Sequence, residues 1–303
     1  MIPRFKLSPD APEVSALAYG AWRIADDAAG SSTARVRAKI DACLAQGITT
    51  FDHADIYGLY TCEGLFGRAL ADAPSLRDQM EIVTKCGINV PCDQRPGVRV
   101  HHYDASAAAI ERCVDRALRE LRTDRIDVLL VHRPDWLTSA EDTARGLLGV
   151  IKSGKVRSVG VSNYNPHQFA LLARYLGHAP VTNQIELSLL RMDAITDGTL
   201  DQCHGADVHP MAWSPLGGGR LMTGDEPGAV RTRALLARLA ADYGATAEQL
   251  ALAWVAALPS KPLVVIGTNQ PERIRDAAAS VRIKLQREHW FELWAAAQGK
   301  SIP

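Results

Sequence analysis

The sequence predicts an α/β protein, a closed (β/α)8 or TIM barrel, as a single domain over residues 1–303. Short apolar runs rich in β-branched residues alternate with amphipathic stretches, as in parallel sheets covered by helices. Eight such units in 303 residues match the usual size of this barrel. The first run lacks the G-x-G-x-x-G turn expected of an open, doubly wound sheet. No linker or low-complexity tract divides the chain.

The predicted strands are the apolar runs, each followed by a helical or loop segment. They cover 16–21, 49–52, 80–85, 126–131, 156–161, 181–187, 208–213 and 263–266. Helices are predicted over 62–70, 104–122, 141–151 and 166–175, with a short one around Leu200 and another starting at Pro271. The helix over 104–122 has the clearest apolar stripe, and either Asp104 or Ser106 could cap it.

Composition and charge give little indication of a nucleic acid, membrane or metal partner. Lys+Arg and Asp+Glu both number 34, so the net charge of zero gives no indication of a nucleic acid or anionic membrane partner. No apolar run approaches the ~20 residues of a membrane span, and no leader pattern is evident, so we expect a cytoplasmic protein. The six cysteines show no C-x-x-C or zinc-ligand spacing. Free thiols and no metal site are therefore expected.

Polar residues close three successive predicted strands. Asp52, Lys85 and His132 stand at these ends, and Tyr57 follows Asp52 by five residues. In a closed barrel these ends converge on one face. Singly, each residue has an ordinary explanation, such as a loop cap, a surface lysine, a core histidine or an interface aromatic. Together and in this order, they favour one catalytic pocket.

This set suits the protonation of a carbonyl oxygen while a hydride reaches the carbon. A tyrosine titrates near pH ~10, and a nearby lysine should lower its pKa. A carboxylate keeps the lysine charged and in position. A histidine can donate a hydrogen bond that orients the carbonyl.

Across essentially its whole length the chain resembles the aldo-keto reductase superfamily. Residues 47–58 (GITTFDHADIYG) resemble the first signature of the superfamily. Residues 126–134 (IDVLLVHRP) resemble its catalytic-histidine strand, and residues 154–163 (GKVRSVGVSN) resemble its fifth-strand motif. Segments 197–202 and 211–221 are similar to a bacterial branch. The resemblance implies that Tyr57 is the general acid, that Lys85 and Asp52 tune it, and that His132 orients a small carbonyl substrate. It also implies NADP(H) bound across the barrel mouth, and a monomer or weak homo-oligomer.

The cofactor residues follow from the same strand ends. Trp213 could stack on nicotinamide, and Ser162, Asn163 and Gln184 could hold its carboxamide. A barrel-interior hydrogen bond is the less favoured alternative for Gln184. The loop 214–220 could offer backbone N–H groups to the pyrophosphate. The alternative is a mobile loop that binds no ligand. The residues of this loop assigned to the cofactor are Ser214, Leu216, Gly218 and Arg220.

Gly267, Thr268 and Arg273 are assigned to the adenosine end, where a guanidinium suits a 2′-phosphate. The resembled family often has a lysine in place of Gly267 and an asparagine in place of Ala277. These two departures concern the choice between NADPH and NADH, not hydride transfer itself.

Trp22 is assigned to the cofactor-binding residues and is also expected to wall the pocket, together with the loop 87–103 and Trp136. A plain core aromatic is the alternative for Trp22. An aromatic lining favours small aldehydes, α-dicarbonyls or aryl ketones. His53 replaces the small hydroxyl residue common in the family and is expected to alter the hydrogen bonding near Asp52.

Three other functions were weighed. A non-catalytic NADP(H)-binding regulatory or sensor subunit would use the same barrel without turnover. A Schiff-base aldolase or isomerase would need Lys85 without the carboxylate of Asp52 beside it. A metal hydrolase would need His53, Asp55 and His132 on one face, which their spacing does not provide.

Overall fold

In the computed structural model, which describes residues 2–302, eight parallel strands form a closed barrel. Met1 and Pro303, the ends of the predicted domain, lie outside the described residues. The strands are β1 Arg4–Lys6, β2 Glu13–Ser15, β3 Leu17–Gly20, β4 Thr50–Asp52, β5 Glu81–Cys86, β6 Ile88–Asn89, β7 His102–Tyr103, β8 Ile126–Val131, β9 Val156–Ser162, β10 Asn183–Glu186, β11 Met211–Trp213 and β12 Leu263–Ile266. Around the barrel the order is β3-β4-β5-β8-β9-β10-β11-β12. The (β/α)8 prediction is confirmed.

The predicted strands 181–187 and 208–213 are too long. The structure has Asn183–Glu186 and Met211–Trp213 instead, paired with each other in parallel. Pro210 has no N–H to donate to a ladder, so β11 begins only at Met211. The predicted bounds of β8 and β12 match those observed.

An antiparallel hairpin that the sequence analysis missed closes one end of the barrel. It consists of β1 and β2, whose three-residue strands are too short to show an alternation. Its buried Leu7, Ala11 and Val14 pack against residues inside the barrel, including Val128 and Leu263. Because this end is plugged, the open end lies at the carboxyl termini of the strands.

Helices surround the barrel. They are α1 Thr33–Gln46, α2 Cys62–Ala71, α3 Ala107–Leu121, α4 Ala140–Lys152, α5 Pro166–Leu176, α6 Asp193–Thr196, α7 Thr199–Gly205, α8 Arg220–Thr223, α9 Pro227–Tyr243, α10 Ala247–Ala256, α11 Pro271–Ala278 and α12 Arg287–Gln298. Ser106, not Asp104, caps α3 by accepting from the N–H of Ala109. Within residues 2–302 no helix is long and apolar enough to span a bilayer.

Candidate active site

The predicted catalytic residues meet at the open end of the barrel. The strands β4, β5 and β8 are paired neighbours. Asp52 ends β4, Lys85 lies one residue before the end of β5, and His132 directly follows β8. Tyr57 lies on the turn after β4 and packs against the ring of His132, with 6.0 Å between ring centroids. The parallel barrel therefore brings together four residues that are up to 80 positions apart in the chain.

The ammonium of Lys85 is fully hydrogen-bonded. Its Nζ lies 2.8 Å from both carboxylate oxygens of Asp52, 2.8 Å from the carbonyl oxygen of His53, and 2.9 Å from Oη of Tyr57. These contacts occupy all three N–H groups of an ammonium. Because Lys85 donates to the phenol oxygen, the hydroxyl hydrogen of Tyr57 remains available to a group in the cavity.

The pKa of Tyr57 is raised well above its usual value, mainly by burial and then by the carboxylate of Asp52. The expected lowering of this pKa was wrong in direction, because burial and the carboxylate of Asp52 both disfavour the phenolate. Burial also lowers the pKa of Lys85, which Asp52 opposes. Tyr57 therefore holds its proton at neutral pH, in the form that a proton donor needs.

The two histidines near Lys85 are uncharged. Burial, with the charges of Lys85 and Arg133, lowers the pKa of His132 well below its usual value. His132 lines the cavity, where a neutral imidazole can act as a hydrogen-bond donor.

His53 departs from the expectation that it alters the hydrogen bonds of Asp52. Its ring packs edge-on against Phe66, with 4.5 Å between centroids, and neither ring nitrogen has a hydrogen-bond partner. Burial and then Lys85 lower its pKa to about 3. Its backbone carbonyl, not its side chain, takes part in the site.

A cavity of about 550 Å³ opens above these residues. Most predicted site residues line it: Asp52, Tyr57, His132, Trp22, Ser162, Asn163, Gln184, Trp213, Ser214, Leu216, Gly218, Gly267, Thr268 and Arg273. Lys85 lies beneath it, buried. Arg220 is not among the lining residues; it pairs instead with Glu226 at 3.1 Å.

The predicted substrate wall is only partly present. Trp22 lines the cavity and is 53% exposed, so it is not a core aromatic. Neither the loop 87–103 nor Trp136 lines the cavity. Trp136 is 78% exposed and packs against Tyr103 at the rim, with 5.8 Å between ring centroids.

The polar residues after β9 and β10 hold one another in place. Gln184 donates from Nε2 to Oδ1 of Asp52 at 2.7 Å, the barrel-interior hydrogen bond that the sequence analysis had favoured less. Asn163 donates to Oγ of Ser162 at 2.8 Å and accepts from the indole N–H of Trp213 at 3.1 Å. This network fixes the edge of Trp213 and links Gln184 to the catalytic group.

The other end of the cavity contains residues that the sequence analysis missed. Arg23 reaches across it and donates to the carbonyl oxygen of Gly218 at 2.8 Å. Glu248 lines the cavity from α10 and pairs with Arg273 at 3.1 Å. A strand-end search cannot find Glu248, because its helix does not directly follow a strand. Arg23 could have been found from the sequence, because it directly follows Trp22, which was predicted to line the pocket.

Comparison with known proteins agrees with this geometry. The model of the Aldo/keto reductase family matches residues 16–297. The chain belongs to the aldo/keto reductase family. This family resemblance was therefore correctly predicted from the strand-end motifs.

Similar aldo/keto reductases occur in several bacteria. A protein of Agrobacterium fabrum strain C58 named 6-dehydroglucose reductase is 50% identical, covering 97% of each chain. The uncharacterized oxidoreductase YcsN of Bacillus subtilis is 42% identical over 99% of each, and the oxidoreductase YdhF of Escherichia coli K12 is 42% identical over 100% of each. This aldo/keto reductase is therefore an oxidoreductase of a carbonyl-reducing family, which implies a nicotinamide cofactor.

Proposed function

We propose that the protein reduces an aldehyde or ketone to an alcohol with NADPH, and that Tyr57 is the general acid. The observation that carries this proposal is the bonding of Lys85, whose ammonium donates to the phenol oxygen while Asp52 holds it in place. The bound cofactor would supply the hydride to the carbonyl carbon.

The chain's own residues would supply the proton. Tyr57 gives its hydroxyl proton to the carbonyl oxygen, which becomes the alcohol hydroxyl. The ammonium of Lys85 stabilises the resulting phenolate, because it already contacts the oxygen that gains the negative charge. The neutral imidazole of His132 donates a hydrogen bond that orients the carbonyl oxygen.

The cavity has the size and chemistry to hold a dinucleotide. Its volume of about 550 Å³ lies within the ordinary range of ligand sites. Trp213 offers an aromatic face at one end, and Arg273 a guanidinium at the other. Gly218 and Gly219 also line the cavity; they have φ values of 70° and 102°, and a Cβ on either would meet nothing within 4 Å, which leaves room for close approach to the backbone.

The similarity to the Agrobacterium protein suggests a first substrate. Because that protein is named 6-dehydroglucose reductase and is 50% identical, we propose a sugar-derived carbonyl compound and would test 6-dehydroglucose first. The panel of carbonyl compounds to be tested also includes small aldehydes, α-dicarbonyls and aryl ketones, because the aromatic residues Trp22 and Trp213 line the cavity.

Tyr57→Phe tests the mechanism. Removal of the hydroxyl should lower kcat at least about 100-fold, since general acid catalysis contributes that much or more. Binding of NADPH, measured by fluorescence titration, should stay within about twofold. Tyr103→Phe is the matched control, because Tyr103 lies outside the cavity lining.

Undiminished turnover in Tyr57→Phe would exclude Tyr57 as the acid. A wild-type protein that binds NADPH but consumes none across the panel would support the sensor subunit instead.

A further inference from the structure

Arg273, the residue proposed for the 2′-phosphate of NADPH, already has a carboxylate partner. Its Nη2 donates to Oε1 of Glu248 at 3.1 Å. Both side chains are about half exposed, and both line the cavity. A phosphate that binds Arg273 must therefore compete with Glu248.

The charge around Arg273 is unfavourable for a phosphate. Asp276, one turn further along α11, also lines this end of the cavity. The other arginines of the lining are engaged elsewhere: Arg23 bonds to Gly218 at 2.8 Å, and the guanidinium of Arg133 lies 6.0 Å from the ring centre of Trp213. Among the lining residues in the described part of the chain, Arg273 is thus the cation left for a phosphate at this end, which also contains the carboxylates of Glu248 and Asp276.

The contact between Glu248 and Arg273 joins two elements that are fixed to each other. Thr246 and Gln249 form a capping box at the start of α10. Gln249 also donates from Nε2 to the backbone carbonyl of Asp276 at 2.7 Å. The first turn of α10 is therefore tied to α11, which holds Glu248 beside Arg273.

We propose that Glu248 sets the cofactor selectivity of this enzyme by weakening its preference for NADPH, so that NADH also serves. This inference rests on the proposed function. The ribose 2′-hydroxyl of NADH can donate to the carboxylate of Glu248, as this hydroxyl does to acidic residues in other dinucleotide sites. A 2′-phosphate instead adds negative charge beside Glu248 and Asp276 and takes Arg273 away from its partner.

The experiment compares the binding of 2′,5′-ADP and ADP to the full-length protein by calorimetry. The wild type should prefer 2′,5′-ADP by less than about tenfold. Glu248→Gln should raise this preference about three- to tenfold, the scale expected for loss of a half-exposed charge pair. Glu272→Gln is the matched control, because Glu272 is next to Arg273 but pairs with Arg275 at 3.6 Å and does not line the cavity.

Three outcomes would overturn the inference. The preference could be the same in Glu248→Gln as in the wild type, or it could rise equally in Glu272→Gln. A wild-type preference above about tenfold would also contradict it. If the wild type binds neither nucleotide, the proposed cofactor site itself is wrong and the inference falls with it. Tyr57→Phe turnover is independent of all three outcomes, so failure of the selectivity inference is separable from failure of the mechanism.

Discussion

At the scale of single residues, a buried acid contacts the residue that precedes Lys85. Glu63 of α2 accepts a hydrogen bond from Oγ1 of Thr84 at 2.6 Å, and its Oε2 has no partner. Burial raises the pKa of Glu63 from 4.5 to about 7, against the opposing effect of the Thr84 hydrogen bond. Glu63 is therefore substantially protonated in the folded protein at neutral pH.

This makes the stability of the protein depend on pH. A carboxyl whose folded-state pKa is raised binds its proton more tightly when folded, so the stability that Glu63 contributes is greatest below about pH 4.5 and is lost as pH rises through about 7. Glu63→Gln, which resembles the protonated acid, should remove this decline. Between pH 5 and 8 the variant should gain up to about 3 kcal/mol in unfolding free energy relative to the wild type.

The measurement is urea unfolding at pH 5, 6, 7 and 8. Glu272→Gln removes an exposed acid and should follow the wild type at every pH. Parallel pH profiles for the wild type and Glu63→Gln would contradict the prediction.

The sequence predicted which strand-end residues meet at the cavity, but it predicted their surroundings less well. Asp52, Lys85 and His132 could be found because strand ends of a parallel barrel must converge. The pairing of Glu248 with Arg273 could not, because it depends on how two helices pack. The direction of the Tyr57 pKa was wrong because burial cannot be read from a local pattern.

At the scale of elements, α2 and α3 pack at backbone distance. A Cβ added to Gly67 of α2 would lie 1.9 Å from the carbonyl oxygen of Glu120 and 2.8 Å from the carbonyl carbon of Leu121. No side chain fits there, so the glycine sets the separation of the two helices. Because α2 follows the turn that carries Tyr57, this packing also holds the catalytic turn.

Gly67→Ala should therefore destabilise the protein, by at least about 2 kcal/mol, since backbone atoms would have to shift. Gly149→Ala is the control, because Gly149 is exposed on α4 and its added Cβ would meet nothing within 4 Å. That change should stabilise by about 0.5–1 kcal/mol through helix propensity. Urea unfolding measures the change in unfolding free energy for both variants. Equal changes would show that the α2–α3 contact is not tight.

The helices near the end of the chain could not be specified from the sequence. Helices α9 and α10 follow one another before β12, which breaks the simple alternation used for the prediction. Helix α12 is held through Trp290, which stacks on Trp254 of α10 at a centroid distance of 4.7 Å. Each of these two indole N–H groups also donates to the other residue's carbonyl oxygen at 3.0 Å. Such a contact is visible only once the chain is folded.

At the scale of the whole molecule, the two ends of the barrel differ. The hairpin of β1 and β2 plugs one end with apolar side chains. At the other end Arg23 bridges the loops that follow three neighbouring strands. It donates to the carbonyl oxygen of Gly218 at 2.8 Å, and its own carbonyl oxygen accepts from Nδ2 of Asn269 at 2.6 Å. Arg35 strengthens this bridge by donating to the backbone of Asn269 at 3.1 Å.

This bridge should slow the exchange of a bound cofactor. The loop around Gly218 contains three successive glycines with left-handed φ, so the backbone there has little intrinsic stiffness and depends on contacts such as that of Arg23. Arg23→Ala should raise the dissociation rate of NADPH about three- to tenfold, as expected for loss of one charged, partly exposed hydrogen bond. Stopped-flow fluorescence of the nicotinamide measures this rate. Arg37→Ala is the control, since Arg37 pairs with Asp41 on α1 outside the cavity lining. An unchanged release rate in Arg23→Ala would mean that the loop stays in place without the bridge.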